Sequence, residues 1–430
     1  MNVLHINKFH YMRGGSEAVY FRTADVLKLH GHKSLFFSMH CLENISCETS
    51  DFFMPYVDLV NNNGLMDQLK NAGRVLYSFE ARNRLSHLLE KYPIDIAHLH
   101  NIHHQISPSI LHELKKRNIP IVMTLHDYKM VCASYSMLAE EKPCEACCGG
   151  SYFHAAKKRC IKGSFVKSIL ATLEMYLHHK ILDIYSNVDV FISPSLFLKN
   201  KLHQMGFNKE IVHLPNFIDT DSFRQIEDNK NLPENSIVYF GRLSEIKGLW
   251  TLIEAAGLLG SRSDVQVKII GDGQLKAGLE YKVNSLSLKN VRFLGYMKGD
   301  ELFKEIKNSL FVVLPSEWYE NNPMSVLESF ALGKPVIGSR IGGIPELVKD
   351  NKTGLTFEPG NAEDLCSKIE CLINNKDLVG EMGRNARKFV ERELNPEKYY
   401  QGLMHVYQLA GNKCKTPEFL KTKGEAFTHT

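Results

Sequence analysis

Apolar and polar positions alternate along this chain on two length scales. Short, mostly apolar runs recur at Val3–Asn7, Ser34–Met39, Asp95–His100, Pro120–His126 and Val188–Pro194. A second series follows at Ser236–Phe240, Val265–Ile270, Val291–Leu294, Leu310–Pro315 and Pro335–Ser339. Between them lie longer stretches with helical spacing, such as Glu17–Leu29 and Leu249–Leu259. Apolar runs separated by amphipathic helices predict βαβ units and parallel sheets. Two successive series predict two doubly wound α/β domains. The boundary falls near residues 195–235, where Leu214-Pro-Asn-Phe-Ile-Asp219 and the polar stretch Glu227–Pro233 could hold a hinge. The expected organisation is a Rossmann-like domain at 1–200, a second at 212–395, a helical stretch at 396–410 packing back on the first, and a flexible polar tail at 411–430.

Composition agrees with that plan. A chain of 430 residues is too long for one ordinary core. Its 44% hydrophobic and 23% charged content describes a globular protein. The net charge of +4 is mild, so no nucleic-acid partner is expected. The start reads as a strand rather than a basic-then-apolar leader, and no apolar run approaches the ~18 residues of a membrane helix. The expected location is the cytoplasm, where ten cysteines would be thiols or metal ligands rather than disulfides. Because 15 of the 19 histidines precede residue 190, the first half is expected to gain positive charge as pH falls toward ~6.

In open α/β sheets, ligands bind beyond the carboxyl ends of the strands. Arg242 and Lys247 follow one such end and suit a diphosphate, the first as a planar fork and the second as a point charge. Gly271-Asp-Gly273 and Gly342-Gly343 follow two others. In the first half, Ser16 of Arg13-Gly14-Gly15-Ser16-Glu17 would cap a helix, and the glycines would bare its amides. Solvated cations and ordinary turns explain each loop taken alone. No G-x-G-x-x-G dinucleotide fingerprint occurs, which disfavours a nicotinamide oxidoreductase.

One short helix carries a sharper signal. Pro323 suits its first position and Gly333 its end, yet Glu328 sits between Met324 and Leu332 on the face expected to meet the core. Burying a lone carboxylate costs on the order of several kcal/mol, so it needs a partner. Arg340 would be a structural one; the vicinal hydroxyls of a sugar would be a functional one. The turn at Asn322, Pro323 and Met324 offers free amides to a phosphate. Ribose at Glu328, phosphates at this helix start and the two cations together describe a nucleoside diphosphate. Glu320, just before the helix, could reach whatever the outer phosphate carries.

Glu320-x7-Glu328, followed by Gly333-Lys-Pro-Val-Ile337, resembles the E-x7-E signature of retaining glycosyltransferases of family 4, which have the GT-B fold. The resemblance extends through Gly14-Gly15, Asp95–Asn101, Thr124–Asp127, Ser193-Pro-Ser195, Pro215–Asp219, Gly241–Gly248, Gly271-Asp-Gly273 and Gly342-Gly343. It implies two Rossmann-like domains facing across a cleft, with the nucleotide sugar on the second and the acceptor on the first. It further implies that Glu320 and His126 are catalytic, that Arg242 and Lys247 hold the diphosphate, and that Glu328 takes the ribose. Gly15 would meet the outer phosphate, with Gly271, Asn322, Pro323 and Met324 also on the donor side. Gly14, Asn101 and His103 would line the acceptor side. Read alone, His126 is more readily a strand-end residue bonded to a backbone carbonyl.

The implied reaction moves a sugar from a nucleoside diphosphate to a hydroxyl of a glycan or lipid-linked acceptor, with retention, in polysaccharide or surface-glycan assembly. Fixed cations and a helix dipole would neutralise the leaving group, so no catalytic metal is required. Two departures matter. Asn321-Asn322-Pro323 replaces the family's usual Gly-Phe-Gly, so the identity of the sugar is not carried over. Asp219-Thr-Asp221 has D-x-D form but reads as a turn or helix cap. The rival readings are a nucleotide-sugar epimerase of the same architecture and a non-catalytic nucleotide-sugar sensor; the full set of site residues argues against the sensor.

Two features stand outside that scheme. Cys144-x2-Cys147, flanked by Cys132 and Cys160, has the spacing of a four-thiolate structural zinc. Reduced thiols or an oxidisable pair are the alternatives, since no histidine pair completes the usual finger pattern. Residues 163–183, with Lys167 and Lys180, and 65–91, with Lys70, Arg74, Arg82 and Arg84, are basic and amphipathic. They read as solvated helix faces or as a peripheral contact with anionic lipid at the inner face of a membrane.

Overall fold

The structure, a computed structural model, describes residues 1–57, 65–223, 235–260 and 264–415. Two six-stranded parallel sheets organise it. The first contains β1 (Asn2–Ile6), β2 (Lys33–Phe37), β3 (Ile96–Leu99), β4 (Ile121–Thr124), β7 (Val190–Ser193) and β8 (Ile211–His213) in the order β2-β1-β3-β4-β7-β8. A small antiparallel hairpin, β5 (Leu138–Ala139) with β6 (Lys142–Pro143), lies in the segment between β4 and β7. The second sheet contains β9 (Ser236–Phe240), β10 (Gln266–Ile270), β11 (Val291–Gly295), β12 (Phe311–Leu314), β13 (Val336–Ser339) and β14 (Gly354–Phe357), ordered β11-β10-β9-β12-β13-β14. Each is doubly wound, as the alternation of apolar runs and amphipathic stretches predicts.

All ten predicted strands are present, their ends displaced by at most two residues. The two strands of the parallel sheets that the apolar pattern does not reveal, β8 and β14, lie at sheet edges. Only β8 shows the half-buried pattern expected of an edge. In β14 the obstacle is length and composition: Gly354-Leu-Thr-Phe357 is buried throughout but too short to show a period.

The chain passes between the domains near Ile218 and returns near Leu394, and the two passages are bonded to each other: Ile218 N–H donates to the Leu394 carbonyl at 2.9 Å. Arg387 adds a hydrogen bond to the Thr220 carbonyl at 3.1 Å. Asp219 caps the turn ahead of Phe223, its carboxylate accepting from the Asp221 amide at 3.0 Å, as the turn reading of D-x-D expects. The last described helix, Pro396–Lys415, packs on the first domain as anticipated. Its Leu403, Val406 and Tyr407 join Val3, Val122 and Val190 in one cluster, and the Tyr399 hydroxyl meets Thr23 at 3.0 Å. It continues to Lys415, so the expected tail beginning at 411 starts too early; its apolar face ends at Ala410, and the polar turn beyond stays helical. Residues 416–430 and Glu227–Pro233 lie outside the described residues.

The histidine-rich first half does not behave as its composition suggests. His5, His10, His98, His100 and His103 are buried in the first domain. Burial holds His5 down to about 3 and His10 to about 4, and it drives His98, His100 and His103 well below the usual imidazole range. They remain neutral at pH ~6 because a buried imidazolium would have to give up its hydration.

Residues 65–91 form two helices, Leu65–Leu76 and Phe79–Lys91, the second capped by Ser78. Arg74 pairs with Glu80 at 2.5 Å, Arg84 with Glu80 at 3.7 Å, and Arg82 with Glu113 at 3.6 Å. These three cations are paired within the protein; the Lys70 side chain lies outside the described residues. Among the described residues, no helix is long and apolar enough to cross a membrane.

Candidate active site

The cleft between the domains is built at the carboxyl ends of the strands. After β12, the chain runs through Ser316–Pro323 into the helix Met324–Ala331. Glu320 is buried in this loop. Its carboxylate accepts from Lys247 Nζ at 2.5 Å and Ser316 Oγ at 2.7 Å. Burial alone would lift its pKa, but the Lys247 ammonium and these hydrogen bonds outweigh that and hold it below the ordinary value. It is therefore a carboxylate at neutral pH, aimed by two fixed donors.

The glycines serve this loop more than they bare it. A Cβ on Gly343 would lie 1.8 Å from the Asn321 carbonyl oxygen, and the Gly343 amide donates to the Glu320 carbonyl at 2.7 Å. Gly271 has φ +145°, and a Cβ there would lie 1.9 Å from the Gly241 oxygen, so two strand-end loops press together. Both positions admit only glycine.

Glu328 overturns the expectation that it faces the core. It is half-buried in the cleft, and its nearest cation is Arg22 of the first domain's opening helix, Gly15–Leu29, at 3.6 Å. Burial raises its pKa and Arg22 offsets only part of the rise. Arg340, the structural partner considered from sequence, turns instead toward Glu358 and Thr356. The contact to Arg22 is long, and Arg22 Nη1 is buried without a partner among the described residues. Asn322 Oδ1 and Ser244 Oγ are also buried and unpartnered among the described residues.

Two helix starts meet across this gap. A Cβ on Gly15 would lie 3.5 Å from the Met324 side chain. Neither helix has a side-chain cap: Gly14 and Pro323 hold the N-cap positions. Ser16 is therefore not the cap, because it already lies in the first turn and its hydroxyl donates to Glu17 at 3.1 Å. Arg242 is exposed after β9 and forms no ion pair with a described residue. Two uncapped amide ends beside Lys247 and Arg242 make an anion-binding geometry.

On the first domain, His126 follows β4 and meets His100 at 2.9 Å between ring nitrogens. Burial lowers its pKa to about 4, so it is a neutral ring. Asn101 anchors the loop after β3, its amide donating to Asn7 Oδ1 at 3.1 Å. His103 is buried against the Tyr185 hydroxyl at 3.2 Å, away from solvent.

Sequence reasoning missed most of the groups that join the domains. Ser195 Oγ donates to Asn321 Oδ1 at 2.7 Å, and Asn321 Nδ2 to the Leu125 carbonyl at 3.1 Å. Asn216 donates to the Asn322 carbonyl at 3.0 Å. The Glu346 carboxylate accepts the Leu196 and Phe197 amides at 2.9 and 2.6 Å, capping a helix of the opposite domain. The Asn321-Asn322 departure from the family pattern thus has a structural use: it ties the donor-side loop to the first domain.

Two Rossmann-like domains closing on a carboxylate, two cations and opposed helix starts define the GT-B architecture. The Glycosyltransferase Family 4 model matches residues 13–222, and the Glycosyl transferases group 1 model matches residues 221–389. In sequence the chain is similar to family 4-like glycosyltransferases, the two models together spanning residues 13–389. It is 32% identical over 223 residues to an uncharacterized glycosyltransferase of Methanocaldococcus jannaschii, covering 52% of this chain and 60% of that one. It is 27% identical over 234 residues to the amylovoran biosynthesis glycosyltransferase AmsK of Erwinia amylovora, covering 52% and 57%. The chain thus spans little more than half the length of these relatives. Among solved structures, sucrose-phosphate synthase from Thermosynechococcus elongatus superposes with a TM-score of 0.69 at 18% identity, over 95% of this chain and 98% of that one. HepE from Anabaena, in complex with UDP and glucose, gives 0.63 at 15% identity, over 95% and 99%. These two likenesses establish the fold.

Proposed function

We propose that the protein transfers a sugar from a nucleoside-diphosphate donor to a hydroxyl of a glycan or lipid-linked acceptor, retaining anomeric configuration, in surface-glycan assembly. The observation that carries this reading is Glu320, buried and ionised between Lys247 and Ser316 where two uncapped helix starts face each other. In this scheme Lys247 and Arg242 take the diphosphate, and Lys247 exchanges its contact with Glu320 for one to phosphate as donor arrives. Glu328 and the unmet Arg22 nitrogen lie where the ribose would sit. Glu320 then faces the sugar, and neutral His126 approaches it from the acceptor side. The leaving diphosphate is stabilised by preset cations and amides, and no catalytic metal is invoked. Retention follows if the acceptor attacks from the face the diphosphate leaves, its proton passing to a phosphate oxygen. The amylovoran and UDP-bound relatives support the glycan role and the class of donor.

The test is a thermal-shift and isothermal-titration screen of nucleotide sugars. A cognate donor stabilises the fold by mass action. Arg242→Ala should weaken its binding about 10- to 100-fold, the worth of a charge-assisted hydrogen bond. Glu328→Ala should act mainly on Kd, while Glu320→Gln should spare Kd and lower kcat. Wild-type donor affinity in both Arg242→Ala and Glu328→Ala would defeat the assignment. Release of an epimerised nucleotide sugar without acceptor would move the protein to the epimerase class.

A further inference from the structure

The cysteines of the segment between β4 and β7 lie far apart in sequence but converge in space. Cys132, Cys144, Cys147 and Cys160 all line one cavity of about 10 Å³, together with His154 and Met205. A water needs roughly 10–15 Å³ by this measure, so the cavity admits a single small occupant and has no room for an iron–sulfur cluster. None of these cysteines is in a disulfide.

The local backbone is built around that point. The β5–β6 hairpin returns the chain so that the Cys144 amide bonds the Met137 carbonyl at 2.7 Å. The Ala155 amide donates to the Tyr152 carbonyl at 3.0 Å, and the Cys160 amide to the Ala155 carbonyl at 3.0 Å. Tyr135, Met137, Glu140, Glu141, Arg159 and Lys162 all have positive φ. Such a concentration of left-handed residues in one segment persists only where something over-determines it, and the cluster packed here is small: Ala133, Tyr152, Ala155, Ala171 and Met175.

We propose that Cys132, Cys144, Cys147 and Cys160 form a four-thiolate structural zinc site that staples this insertion. Tetrahedral sulfur coordination suits zinc, and a closed site with no open position is structural rather than catalytic. Among the described residues, His5, His98 and His100 are the one group of three or more donors whose ligand atoms all lie within 4.8 Å of one another. That group is a stack and not a metal site: His98 and His100 lie face to face at 4.6 Å, and both nitrogens of His98 are already bonded, to Tyr407 and Thr124. No three of the four cysteine sulfurs lie within 4.8 Å of one another, so a bound zinc would have to draw them inward onto the cavity.

The staple has a place in the cleft. Glu145, between Cys144 and Cys147, accepts from Lys201 Nζ at 2.8 Å and from the Tyr319 hydroxyl at 2.9 Å. Tyr319 immediately precedes Glu320, and its carbonyl accepts the Tyr128 hydroxyl at 3.0 Å. Zinc would therefore hold the turn that latches the first domain to the loop bearing Glu320. The inference stands independently of the donor assignment.

The full chain, purified without chelator from zinc-supplemented cells, is analysed by plasma mass spectrometry. About one zinc per chain is expected. Cys144→Ser/Cys147→Ser should fall below about a tenth of that content. Cys148→Ser should keep it, since the exposed Cys148 does not line the cavity and points its sulfur toward the Gln204 carbonyl at 3.5 Å. If the double variant does not fold, titrating the wild-type thiols with a mercurial beside a zinc-sensitive dye decides, with one zinc released per chain expected. Less than about 0.2 zinc per wild-type chain, iron in its place, or unchanged zinc in a folded double variant would overturn the proposal.

Discussion

Acid should unfold the first domain well before it protonates the bulk of the surface carboxylates. The perturbation is a drop from about pH 8 to about pH 5. A histidine whose folded pKa lies below its unfolded value of ~6.5 binds fewer protons when folded, so its contribution is present above pH ~6.5 and is lost as pH falls toward the folded pKa. His5 at about 3 and His10 at about 4 are both buried. For either, the free-energy difference at pH ~5 is RT times the logarithm of a roughly 30-fold ratio of protonation factors, or ~2 kcal/mol. The pair gives ~4 kcal/mol, a large share of the 5–15 kcal/mol that stabilises a typical domain. His98, His100 and His103 shift in the same direction and add to it. At ~2–4 °C per kcal/mol for a domain of this size, the pair alone lowers the melting midpoint by ~8–16 °C. Hydrogen exchange in β1 and β3, read beside near-ultraviolet circular dichroism, follows the first domain. Both tryptophans, Trp250 and Trp318, lie in the second, so their fluorescence is the internal comparison. His5→Gln, which cannot take the proton, should remove about half of the pair's pH-dependent part. A first-domain midpoint that moves by less than ~2 °C between these pH values would refute the reasoning.

Two further outcomes follow from glycine packing and from an exposed helix face. Gly343→Ala forces a Cβ against the Asn321 carbonyl, so it should cost ~1–3 kcal/mol and lower kcat by displacing Glu320. Gly411→Ala, in a helix with open space around it, should be neutral or stabilise by up to ~1 kcal/mol, and equal melting temperatures in the two variants would contradict the packing account. The helix Phe165–Tyr176 exposes Phe165, Val166 and Leu173 at 52, 76 and 54%, beside Lys162 and Lys167. The full chain should therefore sediment with anionic vesicles at low salt, and Val166→Asp/Leu173→Asp should abolish this with a change of no more than ~0.5 kcal/mol per site in stability. Undiminished sedimentation of that variant would exclude this face.

The parallel sheets were legible because strands buried on both faces are apolar throughout, and Ser236–Phe240 is fully buried as its sequence implies. β8 escaped notice because it is three residues long and only partly buried at its edge, and β14 because four residues starting with Gly354 carry no period. At the site, Glu320 and Glu328 stood out as carboxylates where helix chemistry did not call for them. Their surroundings did not, because Arg22, Ser195, Asn216 and Glu346 reach across from distant parts of the chain. Burial of His103 was equally invisible, since a polar loop residue gives no sign of a tyrosine hydroxyl waiting beneath it. The cysteines show the reverse case: their spacing suggested convergence, and folding brings them around one cavity.

The paired passages at Ile218 and Leu394 have a mechanical consequence. A body attached to another by one strand can twist freely about it, but two strands pinned side by side leave a single easy rotation, like a door on its jamb. Opening the molecule to admit and release substrates would then swing the lobes through one arc, and each closure would return the Glu320 loop to the same register against Ser195 and Leu125.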